Sequence, residues 1–251
     1  MIPLHDAVLS AFLVFCRIGG CMMLMPGFAG HRMPVRIRLF LAVGISLAIL
    51  PLLFADMAEF VQKSSRASLI LAIATELATG GIIGFLARVF FLMLQTMLVA
   101  MAQFIGLSMV MGPADDDEQL PPIATLLALT ATTMMFITDQ HYELLRGIIA
   151  SYRQIPIGVG FGGRGALMQV TDQMSAALML GMRLASPFLV YSLIMNFAIG
   201  LINKMTPQIP VFFIATPFLM AGGMLLLYAL SDQLLVAFVS AFGVFLRLGS
   251  P

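Results

Sequence analysis

The stretch Leu69-Ile70-Leu71-Ala72-Ile73-Ala74-Thr75-Glu76-Leu77-Ala78-Thr79-Gly80-Gly81-Ile82-Ile83-Gly84-Phe85-Leu86-Ala87-Arg88 decides the fold class. It opens an almost wholly apolar run that continues to Met111 without a proline. As one helix, Leu69–Met111 would be about 65 Å long at ~1.5 Å per residue. A bilayer core is about 30 Å thick. The run must therefore fold back as a hairpin or project out of the membrane. Gly80-Gly81 and Gly84, followed by Arg88, mark the expected break, although the same glycines also suit close helix packing.

The rest of the chain repeats this character. Of 251 residues, 61% are hydrophobic and 10% charged, with a mean hydropathy of +1.03. A soluble domain carries about 25% charged residues and could not hide so much apolar surface. The expected fold class is an all-α polytopic membrane protein. No polar stretch is long enough for an ATPase or dehydrogenase module. The net charge of +1 lacks the basic face of a nucleic-acid binder. Cys16 and Cys21, five apart in one apolar segment, read as buried small residues and not as a disulfide. A cleavable signal peptide is not expected, because no basic region precedes Pro3 and Arg17 interrupts the first apolar segment. Tryptophan is absent and tyrosines number four, so the aromatic belt of a lipid interface is thin. Part of the surface is therefore expected to face protein.

Further helices are expected over about Leu4 to Met25, stopped by Pro26-Gly27, and about Leu39 to Phe54, with a polar linker from Asp56 to Ser68. Beyond the acidic loop Asp115-Asp116-Asp117-Glu118, one covers about Ile123 to Thr138, and an amphipathic piece runs from Asp139 to Tyr152. Ala166 to Ile202 is too long for one span and is expected to be interrupted at Arg183 and Ser186-Pro187. Val211 to Leu230 and Leu234 to Leu246 close the chain, with an N-capped break at Ser231-Asp232. The basic turn His31-Arg32-Met33-Pro34-Val35-Arg36-Ile37-Arg38 is expected in the cytoplasm. The N-terminus then lies outside, and so does the acidic loop if Leu69–Met111 is a hairpin.

Chemistry is sparse. Arg17, Glu76, Arg88 and Arg183 sit in or beside apolar segments, where a charge costs about 2.5–3.5 kcal/mol on insertion scales. Internal pairing or an interfacial helix end is the simpler reading, and a solute path the alternative. His141 and Glu143, two apart, do not make a metal pair on a helix. The glycine-rich connector Ile157–Gly165 lacks the lysine of a phosphate loop. Neither a metal nor a cofactor is expected.

Several local patterns, in order, resemble the FliR family, the flagellar members of a type III export-gate family. They are Phe15-Cys16-Arg17-Ile18-Gly19-Gly20; Pro26-Gly27-Phe28 with Pro34-Val35-Arg36 and Arg38; Gly80 to Phe85; Gly106-Leu107-Ser108-Met109; and His141, Leu144-Leu145, Ser151-Tyr152, Pro156-Ile157-Gly158. The most specific is Asn196-Phe197-Ala198-Ile199-Gly200-Leu201 followed by Pro207-Gln208-Ile209-Pro210-Val211-Phe212. Pro210, Leu219-Met220 and Gln140 depart from the family pattern. Injectisome relatives share the fold, and Asn196 tips the resemblance to the flagellar branch.

The resemblance implies a non-enzymatic subunit of the bacterial inner membrane, in the flagellar basal body. FliP-like and FliQ-like proteins, other export apparatus membrane proteins, exported flagellar proteins and membrane lipid are the implied partners; nucleic acid is not. It implies a FliP-like part over about residues 1–203 followed by a FliQ-like helical hairpin over about 204–251. Gly106, Leu107, Ser108, Met109, Val110, Met111, Gly112 and Pro113 would belong to a plug narrowing a protein-conducting channel, within a loop reaching Pro122. Arg17, Arg36, Arg38, Asn196, Gly200, Pro207 and Gln208 would serve structure or assembly. The competing readings are an injectisome gate subunit, a stand-alone secondary transporter lined by Arg17, Glu76 and Arg183, and an intramembrane enzyme using His141 and Glu143.

Overall fold

The computed structural model describes residues 4–28, 33–107, 121–158 and 163–249. There the chain is helical: α1 (Leu4–Leu24), α2 (Val35–Lys63), α3 (Arg66–Phe104), α4 (Pro122–Ile137), α5 (Gln140–Gln154), α6 (Gly163–Met205) and α7 (Val211–Gly249). No strand occurs among the described residues. Among the described residues, five helices are long and apolar enough to cross a bilayer. The all-α membrane class is as the composition requires.

α1 has Asp6 in its first turn, where a carboxylate faces the positive end of the helix dipole. It stops before Pro26, and Gly27 follows with φ 84, a backbone state that only glycine adopts without strain. α2 runs past the expected end at Phe54 to Lys63. The physical reason is visible in its buried stripe, Arg38, Ala42, Ser46, Ile49, Met57 and Val61. Helical spacing continues through the polar segment, and Lys63 Nζ meets Glu59 at 2.5 Å one turn away.

The hairpin expected within Leu69–Met111 is not formed: α3 is one helix from Arg66 to Phe104. Its glycines serve packing. With the hairpin goes the count that placed the acidic loop outside; that loop lies outside the described residues. α6 is likewise unbroken, although it contains Pro187. Proline cannot donate to the carbonyl four residues earlier. That carbonyl belongs to Arg183, and the Ser186 hydroxyl donates to it at 2.8 Å, so the ladder is repaired locally.

α7 also passes through the expected break at Ser231-Asp232. Ser231 caps nothing; its hydroxyl donates to the Tyr228 carbonyl at 3.0 Å within the helix. The hairpin present in this region is therefore α6–turn–α7, with the Ile209 amide donating to the Thr206 carbonyl at 3.2 Å in the turn. Ser231→Ala should change thermal stability by less than about 0.5 kcal/mol, the usual range for a substitution away from caps and the packed core. A loss near the ~1 kcal/mol of a deleted N-cap, read by a melting curve in detergent, would restore the break.

By contacts the chain divides into two compact units: residues 1–91, 139–175 and 243–251, and residues 92–138 and 176–242. The first buries Leu13, Val14, Ile18, Cys21, Met57 and Ala72. The second buries Leu98, Met101, Ile105, Met135, Phe188 and Phe238. In the second unit the Tyr191 hydroxyl donates to the Leu219 carbonyl at 2.8 Å, tying α6 to α7.

Candidate functional site

Charge is concentrated at one buried point of the first unit, and glycine creates it. α1 and α3 run parallel, because Gly80 lies on the Arg17 carbonyl and Gly84 on the Cys21 carbonyl. A Cβ at either glycine would overlap that carbonyl. The backbones therefore approach as only small residues permit. On the neighbouring turn the Arg17 and Glu76 side chains meet face to face.

Arg17 Nε donates to Glu76 Oε2 at 2.6 Å and Nη2 to Oε1 at 2.8 Å. This is the bidentate fork that suits guanidinium and carboxylate. Their side chains are 0% and 1% exposed. Nη1 donates to Ser151 Oγ at 3.0 Å, and Nη2 also donates to the Ile155 carbonyl at 3.1 Å. The Arg17 Cζ lies 3.8 Å from the Tyr152 ring centroid, within cation–π range. The Gly158 amide donates to Glu76. Gly158 has φ 76 and sits against the Phe60 ring.

These partners give the pair a definite task. A helix end leaves carbonyls without internal partners, and a cation is favourable there. Arg17 caps the end of α5 through Ile155. Glu76 holds Gly158 three residues on. The ion pair thus staples both ends of the turn that leaves α5, and the two charges cancel inside the first unit. This matches the internal-pairing reading. It does not make a solute path, since Arg17 and Glu76 are occupied with each other while Arg183 is exposed on α6. Ser151, Tyr152, Ile155 and Gly158 were not foreseen as partners. The available signal was that Ser151-Tyr152 and Pro156-Ile157-Gly158 belong to the same ordered set of patterns as Arg17.

The other expected residues are placed as follows. Arg38 is buried and donates to the carbonyls of Met23 at 3.5 Å and Met33 at 3.3 Å, so it ties the end of α1 to the turn before α2. Arg36 is exposed. Gly106, at φ 80, follows α3 and packs on Leu219, and Leu107 is half-buried. Ser108, Met109, Val110, Met111, Gly112 and Pro113 lie outside the described residues, as do His31 and Arg32. Asn196 donates to Ser192 Oγ at 3.0 Å on an exposed face. Gly200, Pro207 and Gln208 are exposed, and nothing lies within 4 Å of a Cβ built on Gly200. Glu143 accepts from Arg146 at 3.3 Å. No group of three or more metal-ligating side chains occurs among the described residues.

A multi-helix membrane component with one internally neutralised charge knot is the class that this arrangement defines. Comparison with known proteins makes it particular. The profile of a family described as bacterial export proteins, family 1, matches residues 8–244. The chain belongs to that family, in agreement with the FliR-like motifs, and is a component of a type III export apparatus. It is 29% identical over 222 residues to the flagellar biosynthetic protein FliR of Caulobacter vibrioides, covering 88% of this chain and 87% of that protein. It is 28% identical over 210 residues to the protein of the same name from Escherichia coli K12, covering 82% and 77%. It is also 28% identical over 174 residues to Yop proteins translocation protein T of Yersinia pestis, covering 67% and 66%.

Proposed function

We propose that this chain is an inner-membrane subunit of a flagellar type III protein export gate, at the base of the flagellum. On this reading it joins FliP-like and FliQ-like subunits around a channel for unfolded flagellar proteins. The observation that carries the reading is the family match over residues 8–244, within which the FliR-like motifs occur in order. Two structural features support it. Helices α3, α6 and α7 have 39, 43 and 39 residues, well beyond the ~20 of a simple span. Their exposed apolar residues, such as Phe197, Phe213 and Tyr228, suit burial by neighbouring subunits.

The chain would divide into a FliP-like part over about residues 1–203 and a FliQ-like part over about 204–251. The residues from Gly106 to Pro113 would form the plug. Irregular backbone at membrane depth is tolerated where it lines a cavity or is buried in protein, and Gly106, Gly112 and Pro113 favour such backbone. Met109, Val110 and Met111 would seal by compliant apolar contact. The function is packing and gating, without catalysis.

Co-expression with the neighbouring FliP- and FliQ-like proteins, a tag on this chain and native mass spectrometry test the assembly. A hetero-oligomer holding one copy of this chain is expected. A monomer or homodimer that ignores both partners would remove the gate reading and favour an independent transporter. Restoration of motility in a strain lacking its flagellar relative separates the flagellar from the injectisome branch. Deleting Met109–Met111 should leave assembly intact and raise ion conductance; unchanged conductance in assembled complexes would discard the plug.

A further inference from the structure

Tyr191 of α6 holds α7 by a contact that reaches its backbone. The Tyr191 hydroxyl donates to the Leu219 carbonyl at 2.8 Å, and the Gly223 amide lies within hydrogen-bond reach of the same hydroxyl. Leu219 and Gly223 are four apart, so this carbonyl and this amide are the two ends of one rung of the helix ladder. A phenolic hydroxyl both donates and accepts, and here it can serve each end of the rung. The ring reaches this depth because Gly222 has no side chain: a Cβ there would overlap the Tyr191 hydroxyl.

The rung lies in the weakest part of α7. Pro217, inside the helix, offers no amide to the Phe213 carbonyl. Gly222 and Gly223 are poor helix formers, second only to proline. Helices bend at prolines, at glycine pairs and where a side chain enters the ladder, and Pro217–Gly223 brings all three together. The same segment carries the end of α3. Gly223 sits on Ile105, where a Cβ would overlap the isoleucine side chain. A Cβ built on Gly106 would lie 3.1 Å from Leu219 Cδ2 and 3.7 Å from Met220 Cγ. Ile105 and Leu219 are buried. Gly106, at φ 80, turns the chain out of α3, and its amide donates to the Gln103 carbonyl at 3.0 Å. Leu219 thus has its carbonyl held by Tyr191 and its side chain against Gly106. All of these contacts lie within the second unit.

We infer that Tyr191 is a positioning residue that latches a hinge in α7 and, through Leu219 and Gly223, fixes the direction in which the chain leaves α3 at Gly106. With the latch released, α7 bends at Gly222-Gly223. Close-packed interiors transmit such a displacement and do not absorb it, so the seat of Ile105-Gly106 moves as well. The segment that Gly106 begins is the plug of the proposed gate, and the latch keeps its root in place. Only this last step rests on the gate reading; the hinge and its hold on Gly106 do not.

Hydrogen exchange read by mass spectrometry tests the latch on the full chain purified with its partner subunits. Tyr191→Phe keeps the ring and removes the hydroxyl. It should speed exchange several-fold in peptides covering 218–224 and equally in those covering 102–107, while 66–91 of the first unit stays unchanged. Faster exchange at 218–224 alone would mean a local bond that does not reach Gly106, and unchanged exchange at both would mean no latch; either overturns the inference. Gly222→Ala removes the seat of the ring and leaves the hydroxyl. It should give the same pattern, and the two substitutions together should do no more than either alone, since both open one latch. Additive acceleration overturns the single latch. The ion conductance of assembled complexes separates this inference from the gate reading. Tyr191→Phe should raise it, as deletion of Met109–Met111 does on that reading. If the deletion raises conductance and Tyr191→Phe does not, the latch is overturned and the plug stands. If neither raises it, the plug reading fails and the exchange pattern alone decides the latch.

Discussion

Arg17→Met should destabilise the first unit by about 3–5 kcal/mol, the cost of breaking a buried ion pair from one side. The loss has two parts. Glu76, 1% exposed, loses its counter-charge and two hydrogen-bond donors inside the protein. The Ile155 carbonyl loses its Arg17 donor, about 1–3 kcal/mol for a buried group left without a partner, whereas the Ser151 hydroxyl keeps its bond to the Ile148 carbonyl at 2.6 Å. The measurement is the fraction of monodisperse protein surviving a temperature ramp in detergent. Ser151→Ala removes one bond and leaves the charges paired, so its effect should be near 1 kcal/mol. Arg17→Met with Glu76→Leu should recover much of the loss, because replacing a buried pair by apolar groups of similar volume is often neutral. The double variant still lacks the staple on Ile155 and Gly158. Its connector should be cut faster by protease than the parent's, even where its melting temperature is restored. If Arg17→Met melts with the parent, the two side chains are solvated and the buried knot does not exist.

Composition alone made the fold class legible, because 61% hydrophobic residues admit few alternatives. Helix boundaries were legible where proline punctuates the chain, as at the end of α1 before Pro26 and the start of α4 at Pro121-Pro122. What misled was the assumption that a helix ends where a bilayer does. α3, α6 and α7 continue because local repair was available: Ser186 supplies the bond that Pro187 cannot, and Ser231 turns inward along α7. No rule based on span length detects such repairs. Internal pairing of charges such as Arg17 and Glu76 was legible from burial cost, but not that these two meet each other, nor that Arg17 engages the end of α5. Ser151 and Ile155 lie 134 and 138 positions away in sequence, and only the tertiary fold brings them to α1. The glycines at 80, 81 and 84 carried two readings, a break or a close approach, and sequence held no term to choose. Backbone contact with Arg17 and Cys21 chooses the second.

That contact yields the other large effect. Gly80→Ala should separate α1 from α3, because the added methyl overlaps the backbone carbonyl of Arg17 and no side-chain rotation relieves it. Overpacking of this kind costs about 1–3 kcal/mol, occasionally more, against a gain of up to ~1 kcal/mol in helix propensity. Gly84→Ala meets the Cys21 carbonyl in the same way and should behave alike. Gly81→Ala is the internal control: its nearest neighbour is Leu24 Cδ1 at 4.0 Å, ordinary contact, so the propensity gain stands alone and the protein should melt slightly higher. The ordering matters more than any one value, since all three substitutions make the same chemical change on one helix. The knot adds a second discriminator. Widening the α1–α3 gap also spoils the fork between Arg17 and Glu76, so part of the Gly80→Ala cost is electrostatic. In the Arg17→Met, Glu76→Leu background that part has nothing to act on, and a double-mutant cycle should show coupling of about 0.5–3 kcal/mol. Additive effects would mean that the glycine contact and the ion pair are separate features; coupling means that the glycines are there to bring the charges together.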